Sequence, residues 1–399
     1  MPDTQDHPLR VLLAGGGTAG HVNPLLATAA ALRDPALGGG QETRLLVLGT
    51  KEGLESELVP QAGYELALVP RVPMPRRPGP ALVRLPGRLR GAVAAARQAL
   101  ESIEADVVVG FGGYVSTPAY LAARQAGLPV VIHEQNARPG LANRLGARWA
   151  SAVALTFAST PLAARHGRTE VTGLPLRPAI AELVAAGATS QEAGLTRREG
   201  AQALGLDPQA PTLLVTGGSL GAQRLNEVLT QALGRLPHEL QVLHLTGRGK
   251  DGAVRHALEA AAASGSISER DASRYHVLDY LTRMELAYAC ADGVICRSGA
   301  GTVAELTALG LPALYVPLPV GNGEQRLNAA DVVRAGGGRL VPDAQLDVQA
   351  VVSFTQVLTD PAACTQMAQA AASTGVRDGA ARLARLVRET VSSHRPGQA

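Results

Sequence analysis

Two distant stretches of this chain are written on one plan. Residues 12–20 read LLAGGGTAG and residues 213–221 read LLVTGGSLG. Each is an apolar run of strand type, a glycine-rich turn, and then a long Ala/Leu pattern of helix type. A second pair follows: ADVVV at 105–109 and ADGVI at 291–295. Each of these leads into a Gly-rich turn, a helix pattern, and a Gly-Leu-Pro segment before another apolar strand, at 127–129 and 310–312. Short, wholly apolar strands alternating with helices predict a parallel sheet covered on both faces. Two such halves predict an α/β chain of two Rossmann-like parallel-sheet domains. Their ligand crevices are expected at the carboxyl ends of the strands. If the crevices face each other, one substrate can come from each side.

Length agrees, since 399 residues exceed one ordinary core and suit two domains. Aromatic residues make up 3%, so Ala, Val and Leu must build the cores. Lysine stands only at Lys51 and Lys250, which reads as a coding bias. The net charge of +3 is too small to imply nucleic acid, so its distribution matters more. No acid occurs between Leu66 and Leu100, a stretch carrying Arg71, Arg76, Arg77, Arg84, Arg88, Arg90 and Arg97. Val72, Met74, Leu82, Val83, Leu85 and Leu89 are interleaved with them. Either a solvated basic face or a surface for anionic lipid fits this pattern. Cys290, Cys296 and Cys364 form neither a metal-ligand spacing nor a disulfide framework. The first residues show no signal-peptide pattern. No apolar run approaches the ~20 residues that cross a bilayer. A cytoplasmic protein without a bound metal is expected.

The domain boundary is placed near 173–179, GLPLRPA, where two prolines stop helix formation. The stretch 183–203 reads as a helix plus a mobile loop. A helical tail from about 361 could pack against either domain.

Four motifs carry the chemistry. The first, Gly15-Gly16-Gly17-Thr18-Ala19-Gly20-His21, matches the G-x-G-x-x-G pattern of dinucleotide sites. Such sites want an acid ending the next strand, and only Glu52 follows strand 44–48. A tight turn without a ligand is the plainer alternative, but His21 stands at a helix start, where Asn23-Pro24 fits a new helix. A helix N-terminus disfavours imidazolium, so His21 should stay neutral and able to accept a proton. The second motif, Gly217-Gly218-Ser219-Leu220-Gly221, matches the nucleophile elbow of serine hydrolases. A phosphate-binding turn suits its residues better. The third, Cys296-Arg297-Ser298-Gly299-Ala300-Gly301-Thr302-Val303-Ala304-Glu305, offers hydroxyls and helix-start amides to an anion, and Glu305 could hold a ribose diol. A plain Thr302–Glu305 capping box reads equally well. The fourth, His133-Glu134-Gln135-Asn136, follows an apolar strand at 128–132 and fits a site at that strand's carboxyl end, with Gly112-Gly113-Tyr114-Val115-Ser116 on the same edge.

Together these residues resemble the MurG family, the undecaprenyl-diphospho-muramoylpentapeptide N-acetylglucosaminyltransferases of glycosyltransferase family 28. The resemblance runs from about residue 10 to 340. It is carried most specifically by HEQN at 133–136 and GGYVS at 112–116. It implies the GT-B fold, two Rossmann-like domains facing each other across a cleft. The domains would be 1–173 for the acceptor and membrane side, 174–360 for the UDP-sugar, and 361–399 as a helical tail. It implies inverting transfer of N-acetylglucosamine from UDP-N-acetylglucosamine to the 4-hydroxyl of a lipid-linked muramoyl pentapeptide, in peptidoglycan synthesis. The enzyme would be peripheral, at the cytoplasmic face of the plasma membrane on an anionic surface, with no cofactor required and no nucleic acid bound.

The resemblance also assigns roles. His21 matches the proposed catalytic base, with Glu134 as second choice. Thr18, Ala19 and Gly20 would border the diphosphates. Gly17, Tyr114, His133 and Asn143 fall on the acceptor side. Asn136, Arg177 and Ser219 would reach the donor, as would the segment Ala300, Gly301, Thr302, Val303 and Ala304. Leu281 would read uracil through its backbone, Glu305 the ribose, and Gln325 the sugar hydroxyls. The chain departs from the family at Leu174, Leu220 and Glu324, which bears on donor affinity and sugar choice more than on reaction type. Other readings are another GT-B lipid glycosyltransferase, a non-catalytic sugar-nucleotide-binding subunit, and the serine hydrolase.

Overall fold

A computed structural model describes residues 8–72, 80–187, 189–218 and 221–394, with backbone only for 80–84. The chain divides into two compact units. One holds the residues up to Arg177 and is completed by the chain from Asp378 onward, and the other holds Pro178–Arg377.

The first unit is built on seven parallel strands: β1 (Arg10–Gly15), β2 (Arg44–Gly49), β3 (Glu65–Leu68), β4 (Val107–Gly112), β5 (Val130–Glu134), β6 (Ala152–Leu155) and β7 (Arg168–Val171). Their order is β3-β2-β1-β4-β5-β6-β7. Successive residues of a strand point to opposite faces. Leu12 and Ala14 of β1 therefore enter one core with Leu46, Val108 and Ile132. Val11 and Leu13 enter the other with Val47, Val109 and Phe111. Burial on both faces is why these strands read as unbroken apolar runs.

The second unit repeats the plan with β8 (Thr212–Thr216), β9 (Gln241–Leu245), β10 (Tyr275–Leu278), β11 (Gly293–Cys296), β12 (Ala313–Tyr315) and β13 (Gly338–Leu340). The order is β10-β9-β8-β11-β12-β13, again parallel. In each sheet the order reverses at the strand that leads into the first glycine turn, between β1 and β4 and between β8 and β11. Such a reversal opens the crevice where α/β sheets bind ligands. The repeated motifs end the strands on either side of these two points.

Four local readings change. Residues 183–203 carry two helices, Pro178–Ala186 and Ser190–Leu204, in place of a helix and a mobile loop. β5 runs to Glu134 and pairs Glu134 with Leu155, so His133 and Glu134 lie in the strand, not after it. The first helix starts at Ala19, with Pro24 inside it. The region from 361 is shared: the helix Pro361–Ala372 stays in the second unit, whereas Gly379–His394 belongs to the first and packs on the helix Ala19–Arg33.

Candidate active site

At the switch point of the first unit, the ends of β1 and β4 approach so closely that only glycines fit. A Cβ at Gly15 would meet Phe111 at 2.9 Å, and one at Gly113 would meet the Gly16 carbonyl at 2.6 Å. Gly112 and Gly113 also hold φ of 92° and 83°, which side chains rarely adopt. Buried Ser116 ties the two turns: its hydroxyl accepts from Gly112 N–H at 2.9 Å and lies 3.0 Å from the Ala14 carbonyl.

Gly17, Thr18, Ala19 and Gly20 are exposed above this junction. No side chain caps the helix that starts there. The Thr18 hydroxyl instead lies 2.9 Å from His21 Nδ1 and fixes the ring. His21 Nε2 faces Gly112, where a Cβ would stand 3.2 Å from it, and Asn143 Nδ2 approaches the same position at 3.5 Å. Burial lowers the pKa of His21 below the usual imidazole value, while the Glu55 charge and a hydrogen bond with the Gly16 backbone act the other way. The ring is therefore neutral at pH 7 and can take a proton.

The acid after β2 that matters is Glu55, which the motif reading passes over in favour of Glu52. It is wholly buried. Its carboxylate accepts from Gly17 N–H at 2.7 Å and from Thr50 N–H and Oγ1 at 2.9 and 2.8 Å. Burial pushes its pKa up, but these hydrogen bonds together outweigh that and leave it lowered. With both oxygens engaged inside the glycine turn, Glu55 is not placed as the ribose ligand of a dinucleotide site. A signal was present: an acid opening a helix a few residues past the second strand.

The HEQN segment turns inward. His133, Glu134 and Gln135 are buried, and only Asn136 is half-exposed. His133 donates from Nε2 to the Gly173 carbonyl at 3.0 Å, and burial brings its pKa down to about 4. Glu134 accepts from Asn136 N–H, Gly140 N–H and Asn143 Nδ2 at 3.0, 2.9 and 2.9 Å. Asn143 in turn accepts from the Tyr120 hydroxyl at 2.8 Å. Three donors thus fix the Glu134 carboxylate in place. The other ring nitrogen of His133, Nδ1, is buried without a hydrogen-bond partner among the described residues. Tyr114 is exposed, with Arg71 stacked 5.1 Å over its ring. Arg177 is half-buried at the last position of the unit.

In the second unit, Gly217 and Gly221 crowd the end of β8: a Cβ on either would collide with the Ala222 amide or the Thr246 carbonyl. Ser219 and Leu220 lie outside the described residues. A serine-hydrolase triad would need a histidine downstream of that serine, and His276 sits on the edge strand β10 with β9 between it and β8. Beside β8, the helix Ala300–Leu309 starts behind Gly299 with no side-chain cap. Thr302 is its third residue, so the capping-box alternative fails. Ala300, Gly301 and Thr302 are half-exposed and have no helical acceptor for their amides. Val303 and Ala304 are turned inward, and Val303 N–H is already bonded to the Gly299 carbonyl at 3.0 Å. Glu305 is buried one turn in, its carboxylate 3.2 Å from the Tyr288 hydroxyl. Buried Ser298 stands at the same helix start.

Leu281 is half-exposed just past β10, beside Tyr280, whose ring carries Arg248 at 3.7 Å. Gln325 is half-buried and accepts from Leu318 N–H at 2.9 Å through its side-chain oxygen, which orients its amide. Among the described residues no group of His, Cys, Asp and Glu could hold a metal ion, and no helix is long and apolar enough to cross a membrane. In the basic stretch Arg71, Arg88, Arg90 and Arg97 are exposed, but Val72 is buried and Leu89 packs on the core. Met74, Arg76 and Arg77 lie outside the described residues, as do the side chains of Leu82, Val83 and Arg84.

Two doubly wound units, each with its ligand crevice at a glycine-lined switch point, are the construction of GT-B glycosyltransferases. This chain belongs to glycosyltransferase family 28. The family's N-terminal domain matches residues 11–155 and its C-terminal domain residues 212–383. It is 51% identical over 385 residues to a protein of Clavibacter michiganensis subsp. michiganensis, covering 96% of each chain. It is 49% identical over 389 residues to one of Streptomyces avermitilis, covering 96% of this chain and 99% of that one. Both are named UDP-N-acetylglucosamine--N-acetylmuramyl-(pentapeptide) pyrophosphoryl-undecaprenol N-acetylglucosamine transferase. The crystal structure of MurG from Acinetobacter baumannii is similar at 27% identity, with a TM-score of 0.74 over 96% of this chain and 100% of that one.

Proposed function

We propose that this glycosyltransferase moves N-acetylglucosamine from UDP-N-acetylglucosamine to the 4-hydroxyl of a lipid-linked muramoyl pentapeptide, with inversion at the anomeric carbon. The observation that carries the reading is the near-half identity to transferases of that name, which runs through both units and so through donor and acceptor elements alike.

In this reading the second unit takes the donor. The amides of Ala300, Gly301 and Thr302, with the Thr302 hydroxyl, receive the diphosphate at an uncapped helix start. Glu305 accepts from the ribose diol, the Leu281 backbone meets uracil, and Gln325 meets the sugar hydroxyls. Ser219, Asn136 and Arg177 complete the donor contacts. The first unit takes the acceptor at Gly17–Gly20, Tyr114 and Asn143. His21 removes the proton of the acceptor hydroxyl as that oxygen bonds to the anomeric carbon. The bond from that carbon to the diphosphate breaks, and UDP leaves with the electron pair. Helix-start amides stabilise the leaving diphosphate electrostatically, with no metal required. The exposed arginines from Arg71 to Arg97 serve an anionic membrane surface.

The test is a transfer assay with labelled UDP-N-acetylglucosamine and a short-chain lipid-linked muramoyl pentapeptide, with and without EDTA. Product in both arms supports the reading. Donor binding without transfer overturns the acceptor assignment, and loss of product in EDTA overturns the metal-free chemistry.

A further inference from the structure

The charged group nearest in action to His21 comes from outside the sequence motifs. The helix Ala19–Arg33 packs on β1, β4, the short helix Glu55–Gln61 and the helix Gly379–His394. The charges these bring are mostly remote or solvated. Arg10 lies at the opposite end of β1 and is paired with Glu104 and Asp106. Glu57 is exposed. Arg388 bonds the Leu32 carbonyl at the far end of the helix, Arg382 pairs with Asp378, Glu389 pairs with Arg385 and Arg168, and His394 bonds the Gly127 carbonyl. Glu55 alone of these is buried at the His21 end.

Its environment is built to hold a carboxylate. Side chains at Gly16, Gly49 or Gly53 would overlap it, so three glycines leave room for one acid. One oxygen takes both donors of Thr50, and the other takes Gly17 N–H. That N–H and the Gly16 carbonyl belong to one planar peptide group. Gly17 leads directly into Thr18, whose hydroxyl lies 2.9 Å from His21 Nδ1, and the Glu55 charge and the Gly16 backbone both raise the basicity of that ring. The carboxylate thus fixes the turn whose next residue holds the imidazole. A group that fixes a base and stabilises its protonated form raises its catalytic value even without touching substrate.

We infer that Glu55 is a positioning residue for the transfer: it locks the Gly16–Gly17 peptide that leads into Thr18 and His21, and supplies the countercharge for the imidazolium formed when the acceptor hydroxyl loses its proton. This rests on His21 being the base. It also gives the first glycine turn a different task from the second, since a turn with an amide already given to a carboxylate favours proton transfer over anion capture.

The experiment is the pH profile of kcat/KM for a short-chain acceptor in wild type, Glu55→Asp, Glu55→Gln and His21→Ala, with folding checked by circular dichroism. An opposite charge at close range shifts a pKa by about one unit or more. Glu55→Gln is therefore expected to move the acid limb about one pH unit lower and to cut kcat about tenfold, with KM for the donor unchanged. Glu55→Asp, which draws the carboxylate back by one methylene, should fall between it and wild type. If Gln prevents folding, the Asp variant carries the test. A limb that stays at the wild-type position in whichever variant folds overturns the inference, because a purely structural role lowers the active fraction without moving a pKa. If His21→Ala keeps the limb, the base assignment itself fails. If it abolishes the limb while the Glu55 variants leave it in place, only the role of Glu55 fails.

Discussion

At the level of single residues, the two units separate the chemistry. His21 is held by Thr18 and faces Gly112 in the first, while Glu305 sits behind an uncapped helix start in the second. General-base catalysis contributes about 10²–10⁴-fold. His21→Ala is expected to lower kcat by about that factor and to leave donor affinity nearly unchanged, read by steady-state kinetics beside calorimetric UDP titration. Because the pKa of His21 is lowered by burial, activity in wild type should be flat near pH 7 and fall only on the acid side of the usual histidine value. Glu305→Gln should do the reverse. A hydrogen bond to a charged group is worth about 1.5–3 kcal/mol, so donor KM should rise about tenfold or more at nearly constant kcat. A drop in kcat without a change in KM would remove Glu305 from ribose binding. The places of His21 and Glu305 in the first turns of their helices were legible in the sequence, because glycine turns and small-residue helix starts advertise themselves. Glu55 was passed over: an acid opening a helix just past the second strand was a signal, but only the fold shows that three glycines leave room to bury it.

Among the elements, the strands were legible and their ends were not. A wholly apolar run reads as a buried strand, but β5 continues through His133 and Glu134, because parallel pairing with β6 satisfies their backbone while His133 Nε2 and the Glu134 carboxylate find partners of their own. Polarity therefore marks an inner hydrogen-bond network there, not the start of a loop. The second unit has its own version. His244 is buried with Nδ1 at the Tyr275 hydroxyl, 2.8 Å away, and Nε2 at Asn226 Oδ1, 3.0 Å away. Burial brings its pKa down to about 3. In the unfolded chain both histidines titrate near 6.5. As pH falls below that value the unfolded state binds protons that the folded state refuses, so stability declines. The decline runs to about pH 4 for His133 and to about pH 3 for His244, with no contribution above about pH 7. Each unit of pKa difference corresponds to about 1.4 kcal/mol, so the loss is several kcal/mol. Urea midpoints measured from pH 7 to pH 4 should fall steadily, and His244→Gln should flatten the part of the slope that belongs to the second unit.

Over the whole molecule, the chain does not simply finish one unit and then the other. That the two halves repeat one plan could be anticipated from the repeated motifs. The destination of the last helix could not, because an amphipathic pattern declares that a face will be buried without naming its partner. In the structure Leu383, Ala384, Leu386, Val387 and Val391 of the helix Gly379–His394 are buried in the first unit's core beside Val22, Leu25 and Leu32. Burial of a Leu or Val side chain contributes about 1.5–3 kcal/mol. Four such side chains and an alanine rival the whole stability of an ordinary domain, about 5–15 kcal/mol. Removing residues 378–399 should therefore unfold the first unit, at the opposite end of the sequence, and leave the second folded. Hydrogen exchange would show β1 and β4 losing protection while β8 and β11 keep theirs, and UDP would still bind although transfer is lost. If β8 and β11 lose protection instead, the helix belongs to the second unit in solution and the return of the chain to the first is not what stabilises it.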